Sequence, residues 1–274
     1  MNRTKTLFVI GMATIAIAGN AMAHTTVLKK NTPDDWGSRN ELEGSSSSIS
    51  AFTIPHGCSS PDRILGPSPV RAQSAVWPNG ENAIAINQDT GDTVVLANEI
   101  DGNAVMSPKP VQDHNIFKKI YVARGSVPTF FSHGAKTEDV RAFHYKGGKL
   151  DVDLLGVVPY RVSYPRFKES SCAAKMRVNI AIANYCTKSS SKDNRADIWI
   201  GDLTGKFNDP DVVSVGFWPH VMVVRDLENN PLPESCADGY TLEVTPSDES
   251  IDEYLPVRGF WPAHNEEAED SRES

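Results

Sequence analysis

Seven histidines and four cysteines are the side chains in this sequence best suited to chemistry, and His24 is singled out among them by its position. It directly follows Ala21-Met22-Ala23, a small-x-small pattern. Upstream lie a positive n-region with Arg3 and Lys5 and a 12-residue apolar stretch from Leu7 to Ala18. Together these predict a secretory signal over residues 1–23, removed in the mature chain. Cleavage would turn His24 into residue one, placing a free α-amine beside an imidazole. The amine and Nδ1 can close a chelate ring around one metal ion, because an amine with a pKa near ~8 yields its proton readily to a metal. Nitrogen donors of this kind suit copper, which tops the divalent affinity order.

Two further histidines are candidates to complete such a site. His56 lies in Ile54-Pro55-His56-Gly57-Cys58, where Pro and Gly fix a turn and Cys58 can staple it. A ligand on a stapled turn is better preorganised than one on a free loop. The plain alternative is an ordinary strand-end histidine. His220 follows Trp218-Pro219, and period-two spacing puts Trp218, His220 and Met222 on one strand face. Imidazole with thioether is a soft set that favours Cu(I), with the indole restricting water. The plain alternative here is an inward-facing Trp and Met beside a histidine. His114, His133, His144 and His264 receive no role. No H-x-H, H-E-x-x-H, Walker A, G-x-S-x-G or G-x-G-x-x-G pattern occurs, so zinc-hydrolase, NTPase, hydrolase and Rossmann readings lack support.

A site of scattered histidines must be assembled by strands. The dominant period is two: Met176, Val178, Ile180 and Ile182 alternate with polar or small residues, as do Tyr240, Leu242 and Val244. Shorter runs at 49–54, 70–77, 93–97, 157–164, 196–200 and 220–226 are punctuated by Gly, Pro, Asn, Asp or Ser. Only Val111 to Ile120 reads as a helical turn or two. The pattern predicts an all-β, antiparallel β-sandwich of the Ig-like or Greek-key kind with short helical turns. Its expected organisation is a signal peptide over 1–23, one sandwich domain over 24–264 and an acidic, disordered tail over 265–274. One echo occurs inside the sandwich, Gly216-Phe217-Trp218-Pro219-His220 against Gly259-Phe260-Trp261-Pro262-Ala263-His264, too short to establish a repeat.

Composition limits the partners. A chain of 274 residues with 39% hydrophobic and 23% charged residues has material for a sizeable core. A net charge of −8 argues against a nucleic-acid binder. No apolar run reaches the ~20 residues that a spanning helix needs, which predicts no membrane span after signal cleavage. An exported chain folds in an oxidising compartment, so Cys58, Cys172, Cys186 and Cys236 are expected to pair, with all three connectivities open.

The segments His24-Thr25-Thr26-Val27, Phe52-Thr53-Ile54-Pro55-His56-Gly57-Cys58 and Val70-Arg71-Ala72-Gln73 resemble the YcnI-like copper-binding domain, over about 55 residues. That family starts its mature chain with a His-x-Thr segment and, in many members, carries a His-Gly-Cys turn before a Val-Arg strand. The remainder, including Leu154-Leu155-Gly156-Val157-Val158-Pro159-Tyr160 and Asn230-Pro231-Leu232-Pro233-Glu234-Ser235-Cys236, resembles the copper-repressible surface proteins of methane-oxidising bacteria, the CorA/MopE group. Those bind one Cu(I) through two histidines and a tryptophan oxidised to kynurenine, which makes Trp218 and His220 the corresponding pair here. Both resemblances imply an extracytoplasmic copper-binding β-sandwich.

The resulting expectation is a periplasmic or cell-surface protein for copper acquisition, storage or delivery. Its ligands are His24, His56 and His220, and its partners are the copper ion and a membrane copper importer or copper enzyme. A copper-dependent oxygenase of the polysaccharide-oxidising type and a metal-free structural sandwich are the rival readings.

Overall fold

Alternation across many short segments leaves each strand with one face to bury, and stacked sheets are the way to bury it. The computed structural model describes residues 25–28, 40–46, 48–58, 68–102, 104–129, 138–188 and 196–262. The signal segment, His24, His133, His264 and the acidic tail lie outside the described residues.

The fold is an all-β sandwich built on a six-stranded sheet ordered β15 (Val213–Val215), β14 (Ala196–Gly201), β13 (Ala181–Tyr185), β4 (Ala72–Val76), β9 (Glu138–Lys146) and β8 (Lys119–Ser126). A four-stranded sheet is ordered β1 (Thr26–Val27), β3 (Ser48–Ile54), β10 (Gly156–Ser163) and β7 (Ser107–Pro110). A five-stranded sheet runs β2 (Asn40–Leu42), β16 (His220–Val224), β12 (Ala173–Asn179), β17 (Tyr240–Thr245) and β5 (Ile84–Asn87). β6 (Ile100–Asp101) and β11 (Arg166–Phe167) form a small ribbon. Pairing is mostly antiparallel, as expected, with β12–β17, β14–β15 and β2–β16 added as parallel pairs.

One core joins the three large sheets. Phe52 and Tyr160 come from the four-stranded sheet, Met176 and Leu242 from the five-stranded, and Phe143 and Trp199 from the six-stranded. Trp77 sits at its centre, its ring 5.7 Å from Phe52, 5.6 Å from Phe143 and 5.2 Å from Tyr160, within the range of favourable aromatic pairing. The six-stranded sheet is buried on its other face as well. There Ala72, Ala183 and Ile198 pack under Ile251, Leu255, Val257, Phe260 and Trp261. All five residues of β13 are therefore buried, where simple alternation would expose every second one.

The helical turn expected between Val111 and Ile120 is not formed. That segment is turn and coil leading into β8. The helices are α1 (Leu96–Glu99), in a stretch that reads as a strand by pattern, and α2 (Asp248–Tyr254). Ser247 caps α2 by accepting from the Ser250 amide, and Asp248 and Glu249 occupy the first turn, where the helix dipole favours anions. At the far end, carbonyls without helical partners are taken up by the sheet below: Ser74 and Tyr185 hydroxyls donate to the Leu255 oxygen, and His144 Nε2 donates to that of Tyr254. His144 is thus a brace between sheet and helix.

Candidate metal centre

The cysteines pair as Cys58–Cys186 and Cys172–Cys236. The first bridge joins the turn after β3 to the residue following β13, tying the four-stranded sheet to the six-stranded one. Two disulfides fit folding in an oxidising environment. Among the described residues no helix is long and apolar enough to cross a membrane.

His56 sits two residues from that bridge, half-buried in its turn. Its Nδ1 lies 2.5 Å from the Gly57 carbonyl oxygen, which places a proton on Nδ1 and leaves Nε2 as the nitrogen that offers a lone pair in the neutral ring. A backbone carbonyl holding the second ring nitrogen is the usual arrangement behind a metal-binding imidazole. Gly57 is required for close packing: a Cβ there would come within 2.1 Å of the Ser68 carbonyl oxygen.

The opposing sheet supplies a row of polar side chains facing the core. Asp197 of β14 is paired in register with Asn184 of β13, and Asn184 with Gln73 of β4. Gln73 Nε2 donates to Asn184 Oδ1 at 2.9 Å, and Asn184 Nδ2 donates to the Thr25 hydroxyl at 2.8 Å. Thr25 is fully buried, so the chain entering β1 is fastened between the two sheets. Burial pushes the Asp197 carboxyl up to about 6, against the opposing pull of positive charge on the His56 ring. Asp197 thus lies within electrostatic reach of His56, on the row whose Asn184 holds Thr25.

His220 occupies a different environment. It is almost fully buried at the start of β16, paired in register with Asn179 of the five-stranded sheet. Its Nδ1 lies 3.0 Å from the Trp218 carbonyl oxygen and 3.3 Å from Arg177 Nη2. The Trp218 indole does not share the His220 face as period two suggests. It covers Gly201 so closely that a Cβ there would lie 1.8 Å from Trp218 Nε1. The chain departs from strand geometry at Pro219, before β16 begins, and the alternation argument stops with it. Among the described residues no three His, Cys, Asp or Glu side chains form a metal-sized cluster. What the fold places around Asn184 is Asp197, its partner in register, and Thr25, the residue after His24, with His56 within electrostatic reach of Asp197.

Sequence reasoning assigned no role to Asp197, Asn184, Gln73 or Thr25. A signal exists for the first. Asp197 falls on the face it shares with Trp199 in an otherwise apolar strand, and a carboxylate on a buried face needs a partner. No protein-family model matches this sequence, and no curated protein matches it.

Proposed function

We propose that the protein is an exported copper-binding protein of the periplasm or cell surface, serving copper acquisition, storage or delivery. The observation that carries this reading is the anchoring of Thr25 by Asn184, whose partner in register is Asp197, a carboxyl within electrostatic reach of His56. The residue before Thr25 is His24, whose amine and imidazole become available once the signal is cleaved. His24 is the principal ligand in this reading, His56 adds Nε2, and Asp197 supplies a carboxylate as ligand or as partner to a coordinated group. A nitrogen-rich set with one oxygen suits Cu(II) better than the soft Cu(I). His220 is left outside the set, because a guanidinium beside its ring competes with a metal cation for the same position. The resemblances to exported copper-binding domains point the same way. The copper ion is cargo, with a membrane importer or a copper enzyme as its recipient.

The test is copper calorimetry on mature protein whose amino terminus has been verified as His24 by mass spectrometry. One copper per chain is expected. Blocking the α-amine, or His24→Ala, should abolish tight binding, and Asp197→Asn should weaken it by about 10- to 100-fold. Copper affinity unchanged by both His24→Ala and His56→Ala would sink the proposal and leave a structural sandwich.

A further inference from the structure

A second feature lies on the opposite face of the six-stranded sheet and concerns anions. Arg71, Lys119, Lys146, Lys188 and Arg258 line one cleft of about 730 Å³, and no carboxylate is among its described lining residues. In a chain of net charge −8, five cations around one concavity are a marked local reversal of sign. Low-dielectric walls of one sign focus the field on whatever enters.

The cations converge from separate parts of the chain, Arg71 preceding β4, Lys188 following β13 and Arg258 following α2. Lys119 of β8 and Lys146 of β9 are directly opposed in register, and like charges opposed across an antiparallel pair are destabilising. The Lys146 ammonium lies 4.4 Å from the centre of the Tyr121 ring, which holds it at the cleft. Two glycines make room for lysine stems along the walls. A Cβ on Gly147 would come within 3.3 Å of Lys119 Cγ, and one on Gly259 within 3.3 Å of Lys188 Cε. Both glycines have positive φ, at 79° and 87°, a conformation other residues adopt only under strain. Arg71 and Arg258 add planar forks that match phosphate or carboxylate in bidentate fashion.

We infer that this cleft is a binding site for a polyanion, engaged through phosphate or carboxylate groups. The shared chemistry has two sources. One is an external phosphorylated molecule. The other is this chain's own segment 265–274, whose Glu266, Glu267, Glu269, Asp270 and Glu273 follow closely on Arg258 and Phe260 of the cleft wall.

Titration of the metal-free mature chain with tripolyphosphate, followed by calorimetry at low and high salt, tests the inference. Saturable binding that weakens with salt is expected, since screening acts on exposed charges. Lys119→Glu with Lys146→Glu should weaken it by about tenfold or more, with the melting temperature retained. Arg258→Ser, on the other wall, should also weaken it. The same titration on a chain with Glu266, Glu267, Glu269 and Glu273 changed to Gln and Asp270 to Asn separates the sources. Tighter binding identifies the acidic segment as the natural occupant, and unchanged binding points to an external anion. No saturable binding in either background, or affinity indifferent to the charge reversals, overturns the inference. Neither result bears on the copper proposal, because the protein is metal-free throughout.

Discussion

Asp197 carries the clearest consequence of environment at a single residue. A carboxylate taken out of water loses hydration, so the proton is held to about pH 6 instead of the ordinary value of 3.8. The folded state therefore binds more protons than the unfolded state between those two values. By linkage, the stability of the metal-free protein should fall as pH rises from about 4 to about 6. Asp197→Asn removes the titration and should flatten that segment of the profile. Denaturant midpoints of the two proteins across this range check the sign. A wild-type profile that matches the variant's would show the carboxylate to be better solvated than its position suggests. His56 shows the complementary effect, in which one hydrogen bond to Gly57 decides the nitrogen left for chemistry.

Among the elements, α2 depends on both of its ends. Seven residues are too few to hold helix structure alone, so the cap at Ser247 and the hydroxyl and imidazole donors from the sheet complete it. Ser247→Ala should cost about 1 kcal/mol, read as a shifted denaturant midpoint with an unchanged slope. The cap was legible as Pro246-Ser247-Asp248-Glu249 ahead of Ile251. It is easily passed over because so short a helix gives almost no periodicity. The alternating stretch from Met176 to Ile182 teaches the converse. It reads as one strand, yet the chain changes sheets at Ile180, whose amide donates to the Pro219 carbonyl oxygen. Period two persists through such a crossing because both sheets demand it.

Across the whole molecule, the disulfides set which parts stay together. Cys58–Cys186 spans 128 residues of sequence, and loop-closure entropy grows with that separation. Cys58→Ser with Cys186→Ser should destabilise the protein by about 2–5 kcal/mol, measured as a lowered denaturation midpoint. In the copper reading the same variant should also bind metal more weakly while still folded, because the His56 turn loses its tie to the sheet that carries Asp197. The sequence alone determined the β class, the alternating faces, the pairing-competent cysteines and the His-Gly-Cys turn. All of these are local, since side-chain period and turn chemistry are written within a few residues. Only the tertiary structure decided which cysteines pair, that β13 is buried on both faces, that Trp218 leaves the His220 face, and that Asp197 comes within electrostatic reach of His56. The disulfides alone join residues 64 and 128 positions apart, and no local pattern encodes which distant strand arrives opposite.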